Sequence, residues 1–217
     1  MRPNRAPQGG GAERWPPGRF YEPTKRLVDV GLSVLALALL SPLLLVVSAA
    51  IWLDSPGPVL FRQARAGRYG QMFVMYKFRT MRAGAEHERS AVMELSKHEP
   101  PDLKIEDDPR TTRVGAFLRT WSVDEIPNLL NVLRGDMSLV GPRPTSWGPE
   151  GYEPWQLPRL AVRPGVTGLW QVMGRGDLDF RQRVRLDLLY IEKRSLRVDL
   201  WILWRTVSAV LSRQGAY

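Results

Sequence analysis

Residues 27–53, "LVDVGLSVLALALLSPLLLVVSAAIWL", hold one charge, Asp29, in an otherwise uncharged and mostly apolar run. As a straight helix this run would extend roughly 40 Å, more than the roughly 30 Å of a bilayer's hydrocarbon core. A membrane segment is therefore expected, and the rest of the chain has to be arranged at a bilayer surface. Crossing is a separate matter. Pro42 cannot donate to the Ala38 carbonyl and crowds that turn, so a kink is expected between arms 27–41 and 42–53, neither of which would span alone. Residues 1–26 carry six basic and two acidic side chains, and residues 54–82 carry six and one. Basic flanks prefer the cytoplasmic side, so two of them favour a segment that dips in and returns, with a spanning helix as the alternative.

Around this segment the organisation is simple. Residues 1–23, rich in Pro, Gly and Arg, read as a disordered basic tail without a signal-peptide cleavage pattern. Residues 24–54 form the membrane segment and residues 55–217 a single further domain. After "SPGP", two β-rich stretches flank Gly67 and Gly70 in a hairpin pattern, and "GRYG" is no phosphate loop because no Gly-Lys-Ser/Thr follows it. Residues 83–110 are polar and read as a surface excursion around one short helix, where Glu106, Asp107 and Asp108 suit a solvated turn better than a metal site. Residues 180–213 mix charge with large apolar side chains as one or two helices, and residues 200–211 suit either the membrane interface or a core. Six of the eight Trp (Trp15, Trp52, Trp147, Trp155, Trp201, Trp204) fall in or near segments that could meet a bilayer, with ordinary core packing as the alternative. The expected class is α+β, mainly helical.

Lys and Arg number 31 against 22 Asp and Glu, a formal +9, which points to nucleic acid, an anionic membrane surface or a phosphorylated substrate. With no Cys and two His, disulfides, thiol nucleophiles and the usual zinc sites are excluded, and His acid–base chemistry is disfavoured. Carboxylates and arginines are left to carry any reaction. The stretch "WSVDEIPNLLNVLRGDMSLVGPRP", residues 121–144, places two carboxylates, Asp124 and Glu125, side by side. Ser122 with Glu125 three residues on is a capping box, ahead of a helical stripe of Ile126, Leu129, Leu130 and Leu133 that Gly135 stops. Pro127 restricts the acids to the first turn or just before it. Capping leaves Asp124 without a task, whereas a helix start favours the ionised carboxylate that can attack phosphorus or bind Mg²⁺. In "GPRP", Arg143 sits between two prolines, either as a stiffened fork for phosphate oxygens or as an Arg in a surface turn. Acids that can hold Mg²⁺ near such an Arg, on a membrane scaffold, suggest phosphoryl transfer to a lipid.

Several stretches in order now carry a resemblance: "KRLVDV" with the Ser41-Pro42 break, "SPGPVLFRQARAGRYGQMFVMYKFRTM", "DDPRTTRVGAFLRTWSVDEIPNLLNVLRGDMSLVGPRP", and "VRPGVTGLWQVMGRG" followed by "VRLDLLYIEKRSLRVDLWIL". Spanning nearly everything from Lys25 onward, the sequence resembles the monotopic phosphoglycosyl transferases of bacteria, also called the bacterial sugar transferase family. The resemblance implies a re-entrant membrane helix bent at Ser41 and Pro42, with interfacial amphipathic helices around a small catalytic domain on the cytoplasmic face of the bacterial inner membrane. It implies that Asp124 attacks the β-phosphate of a UDP-sugar, expelling UMP, and that polyprenyl (undecaprenyl) phosphate then displaces Asp124. Glu125 is implied as its partner, Mg²⁺ on Asp124 as cofactor and Arg143 as a phosphate ligand. Lys77, Arg79, Arg119 and Arg163 in matching blocks are implied as further substrate or phosphate ligands, and Asp187 and Asp199 as supporting residues, unless these simply pair with nearby arginines. The product would enter exopolysaccharide, O-antigen or glycoconjugate synthesis; a homodimer is left open.

Two departures stand out: Asn128 where relatives often have Gln, and a 23-residue tail where longer relatives carry several membrane helices, which points to the minimal catalytic form. Two rival functions are a non-catalytic membrane scaffold and a membrane-associated nucleic-acid binder. The first has no need of the acid pair beside "GPRP". The second lacks a recognised motif, and the basic residues are dispersed, so no nucleic acid is expected as partner.

Overall fold

The computed structural model describes residues 18–85, 87–88, 105, 108–174 and 178–212. The basic tail up to residue 17, Trp15 within it, the acids Glu106 and Asp107 and most of the 83–110 excursion lie outside the described residues. Asp108 is described, and its carboxylate is bound at 2.9 and 2.6 Å by the Nε and Nη2 of Arg110.

The apolar run forms one helix, α1 (Tyr21–Asp54), beginning ahead of the expected position 24. It continues unbroken through Pro42, and the Ala38 carbonyl that proline cannot serve accepts instead from Ser41 Oγ at 2.8 Å. The one charge of the apolar run is accounted for. Asp29 is buried, accepting from Ser138 Oγ at 2.8 Å and the Leu139 amide at 3.1 Å. One face packs on the protein while Val34, Leu35, Leu39, Leu45 and Val46 are exposed.

The expected hairpin is present: β1 (Leu60–Ala66) pairs antiparallel with β2 (Met72–Phe78), Leu60 opposite Phe78 and Ala66 opposite Met72. The turn needs left-handed backbone at Tyr69 (φ 58°) and Gly70 (φ 77°), and at the second position glycine supplies it without strain. Next come α2 (Arg113–Thr120), capped by Thr112 Oγ1, and α3 (Asn128–Arg134), stopped by Gly135 at φ 92°. Arg26 of α1 donates to the Val132 and Leu133 carbonyls at 2.5 and 2.9 Å, giving the α3 C-terminus both hydrogen bonds and positive charge. A short parallel pair, β3 (Ser138–Val140) and β4 (Gly165–Thr167), leads to α4 (Leu169–Met173). The C-terminal stretch resolves into two helices. α5 (Phe180–Lys193) opens with an Asp179–Gln182 capping box, and α6 (Leu196–Leu211) opens on Ser195.

Two apolar clusters hold these elements. The larger joins Met75, Val132, Met137, Val140, Tyr190 and Ile202, with Ala36 and Leu37 of α1 against it; the smaller joins Val47 and Ile51 of α1 to Phe78 and Leu118. β2 contributes to both, Met75 to one and Phe78 to the other. Trp52, Trp201 and Trp204 stay exposed, whereas Trp147 is taken up in a ring cluster with Tyr152 and Phe180.

Candidate active site

Asp124 and Glu125 occupy a single 3₁₀ turn, Val123–Glu125, between α2 and α3. The turn is pinned from both sides, because Val123 packs against the smaller cluster and Ile126 against the larger. Ser122 enters it with left-handed backbone, φ 55°, and makes no side-chain cap hydrogen bond, and α3 begins only at Asn128, behind Pro127. The capping box is therefore corrected, and with it the helical stripe: Asn128, Leu129, Asn131 and Val132 face inward while Leu130 is exposed.

Glu125 is bound by cations instead. Lys77 Nζ lies 2.9 Å from Oε1, and Arg143 reaches Oε2 and Oε1 with Nη1 and Nη2 at 3.1 and 2.5 Å. Both carboxylate oxygens are thereby engaged in charge-assisted bonds. Burial opposes the charge on Glu125, but Arg143 and Lys77 outweigh it and hold the carboxyl well below the usual range.

Asp124 is the complement. It is half-buried, and among the described residues its carboxylate has no hydrogen bond or ion pair. Desolvation pushes its carboxyl above the usual range and the Glu125 charge adds to this, while Lys77, Arg143 and Arg119 pull the other way. The result is a carboxylate in a cationic field with its oxygens uncommitted, which suits attack on an electrophile. Among the described residues no group of three or more acids or histidines gathers. One open carboxylate is nevertheless a usual protein share of a Mg²⁺ site, where substrate phosphates and water fill the rest. The donor set fits that ion.

Arg143 is itself held. Arg159 Nη2 donates to the Arg143 carbonyl at 2.9 Å and to Asp187 Oδ2 at 2.7 Å, and Nη1 donates to Tyr152 Oη at 2.8 Å. Both members of the Arg159–Asp187 pair are buried. Burial pushes the Asp187 carboxyl up to about 6 against the pull of Arg159. Arg119 spans from α2 to Thr80 Oγ1 at 3.0 Å and Thr111 Oγ1 at 3.2 Å; burial depresses its pKa, and Asp124 offsets part of that.

The structure thus brings Lys77, Arg143 and Arg119 around the acid pair and ties Asp187 to it through Arg159. The hydrogen bonds of the other sequence candidates go elsewhere. Arg79 donates to the Ser55 and Pro56 carbonyls where α1 ends. Arg163 donates to the Gly135 carbonyl at 3.1 Å. Asp199 binds Lys25 at 3.0 Å, Tyr21 Oη at 2.9 Å and Tyr190 Oη at 2.7 Å, fastening α6 to α1 and α5. Ser41 and Pro42 lie within α1.

Comparison with known proteins decides the family. A family model described as bacterial sugar transferase matches residues 20–213. The chain belongs to the bacterial sugar transferase family. Among its relatives is a UDP-glucose:undecaprenyl-phosphate glucose-1-phosphate transferase of Caulobacter vibrioides, 45% identical over 204 residues, covering 89% of this chain and 72% of that protein. An exopolysaccharide production protein ExoY of Sinorhizobium fredii is 40% identical over 202 residues, covering 89% and 88%. An undecaprenyl-phosphate galactose phosphotransferase of Salmonella typhimurium is 41% identical over 201 residues, covering 89% of this chain and 41% of its own length. The chain therefore spans about two fifths of the length of some relatives and most of others.

In this chain, Arg159 and Asn131 are the residues that sequence reasoning passed over. Asn131 is fully buried, accepting from the Tyr76 amide at 3.0 Å and donating to the Val74 carbonyl at 2.7 Å, so it ties α3 to β2. The available signal was the same for both: a polar side chain within an apolar stretch, "LPRLAV" or "NLLNVL", which folds well only if a buried partner meets it.

Proposed function

We propose that the chain transfers a sugar 1-phosphate from a UDP-sugar to undecaprenyl or a related polyprenyl phosphate, through a covalent intermediate on Asp124. The observation that carries this is the division of labour in the acid pair, with Glu125 bound to Lys77 and Arg143 while Asp124 is left open in their field. The names of the Caulobacter and Salmonella relatives support the lipid acceptor and a hexose 1-phosphate as cargo.

In the first half-reaction an Asp124 carboxylate oxygen forms a bond to the β-phosphorus, and the bond from that phosphorus to the bridging oxygen breaks. UMP leaves with the electron pair. In the second, a phosphate oxygen of the polyprenyl phosphate bonds to the same phosphorus and the Asp124 oxygen leaves, regenerating the carboxylate and giving a polyprenyl diphosphate sugar. Lys77 and Arg143, pre-oriented by their shared bond to Glu125, would meet the charge that builds on the transferring phosphoryl group. Arg159 and Asp187 keep the Arg143 backbone in place. Mg²⁺ held by Asp124 and the substrate diphosphate would neutralise the diphosphate charge.

We further infer that α1 enters and leaves the membrane on the cytoplasmic face of the bacterial inner membrane. Its support is that both ends of α1 pack on one body, Asp29 on β3 and Asp54 on the Val114 amide at 3.0 Å. The deciding assay measures UMP release from a panel of UDP-sugars with undecaprenyl phosphate and Mg²⁺. Asp124→Asn is expected to lose at least about a thousandfold in rate and to form no phosphosugar adduct. Near wild-type turnover in that variant would sink the proposal, and the panel names the sugar.

A further inference from the structure

A cleft at the foot of α1 is lined by Glu22, Lys25, Arg26, Asp29, Arg163 and Arg194, among others. Three of these are committed elsewhere. Lys25 binds Asp199 at 3.0 Å, Arg26 binds the α3 carbonyls, and Asp29 binds Ser138 and the Leu139 amide. The remaining three are loosely matched. Arg163 Nη1 stands 4.0 Å from one Glu22 oxygen and Arg194 Nε 3.9 Å from the other, both beyond hydrogen-bond reach. Among the described residues Arg163 otherwise makes one bond, to the Gly135 carbonyl, and Arg194 Nη1 one, to the Ile191 carbonyl. Arg194 Nε is buried with no hydrogen-bond partner, an uncommon state for a charged group.

Two guanidinium groups sharing one distant carboxylate would be better met by an anion with more acceptor oxygens, seated where the Glu22 carboxylate now stands. Phosphate fits, since it can accept from both forks at the roughly 2.7–2.9 Å of a charge-assisted bond. The cleft is reachable: the Glu22 side chain is 44% exposed and that of Arg163 34%. Its surroundings specify the source. Phe20 and Leu27, either side of Glu22 in sequence, are 76% and 75% exposed, and the apolar surface of α1 continues from there. An anion here sits at the boundary between apolar and polar surface, the level of lipid headgroups.

We propose that this cleft binds the phosphate of a membrane phospholipid headgroup, with Arg163 and Arg194 as its ligands and Glu22 as the internal group it displaces. It shares no residue with Asp124, Glu125, Lys77 or Arg143. The choice of a lipid as source rests on α1 lying in the bilayer. A free phosphate shares the chemistry and is separated by experiment.

The full chain, purified in detergent, would be titrated with dioctanoyl phosphatidylglycerol, with phosphate-free dioctanoylglycerol and with inorganic phosphate, following thermal melting. Phosphatidylglycerol is expected to raise the melting midpoint saturably and dioctanoylglycerol to leave it unchanged. Combining Arg163→Gln with Arg194→Gln is expected to weaken half-saturation at least about tenfold. Glu22→Gln, which retains both arginines, is expected to strengthen it several-fold and decides the matter if the double variant does not fold. A shift that survives the double variant, or weaker binding in Glu22→Gln, overturns the site. Half-saturation by inorganic phosphate at the same concentration overturns the lipid assignment. UMP release measured on the same preparations reports on Asp124 separately, so failure of the transferase reading and failure of this one are distinguishable.

Discussion

At the scale of single residues, two neighbouring carboxylates are driven to opposite behaviour. Lys77 and Arg143 hold Glu125 ionised, and desolvation together with the Glu125 charge raises Asp124. Lys77 is the largest influence pulling Asp124 back down, so Lys77→Met is expected to move the acid limb of the pH–rate profile upward, because a neutral Asp124 cannot attack. A limb left in place, with only a lower plateau, would mean that Asp124 titration does not limit the rate. The sign for stability is opposite at Glu125, whose folded-state pKa is depressed below the ordinary 4.5. Its contribution is present above about pH 4.5 and is lost as the pH falls towards the depressed value. Melting temperature is therefore expected to fall with acidification in this range, and to fall less steeply in Glu125→Gln, whose neutral-pH stability drops by about 3 kcal/mol because two cations lose their counter-charge. Sequence alone supplied the pair and the suspicion about it. It also offered a capping box that the fold does not use, because a local pattern cannot report that Lys77 and Arg143, distant in sequence, arrive at the same carboxylate.

Elements place these residues, and here legibility divides by the range of the interaction. The hairpin around Gly67 and Gly70 and the stop at Gly135 were readable because each is set by its own few residues. The inward face of α3 was not, since Asn128 and Asn131 are buried while Leu130 of the expected stripe is exposed. Nor was the seat of α2. A Cβ on Gly115 would fall inside van der Waals contact with the Thr80 carbonyl, and that close approach lets Arg119 reach Thr80 Oγ1. On helix propensity alone Gly115→Ala would stabilise by about 1 kcal/mol. The expectation is the reverse, a loss of about 1–3 kcal/mol from overpacking, read as a lower melting temperature with reduced UMP release. An unchanged or raised melting point would show that the Thr80 segment yields.

On the scale of the whole molecule, α1 is long and apolar enough to enter a membrane and is at the same time part of the core. Ala36 and Leu37 pack on the larger cluster, Val47 and Ile51 on the smaller, and its other side presents Leu35, Leu39, Leu45 and Val46 outward. Hydropathy made the long apolar helix legible, and the basic flanks favoured both of its ends on one side of a membrane. That the helix would be fastened at both ends to a single body was not legible, because Lys25 to Asp199 and Asp54 to Val114 are contacts between segments far apart in the chain. A helix so fastened cannot place its ends on opposite sides of a bilayer without carrying the body through it. The chain holds no cysteine, so single introduced thiols report cleanly. Arg19→Cys and Gln71→Cys lie at exposed positions on either side of α1 in sequence. With a membrane-impermeant maleimide, both are expected to be protected in right-side-out spheroplasts and both labelled in inverted vesicles. Labelling of Arg19→Cys from outside the cell would make α1 a spanning helix, and the shared packing of its two ends would then have to be given up before any account of how Asp124 meets a lipid phosphate.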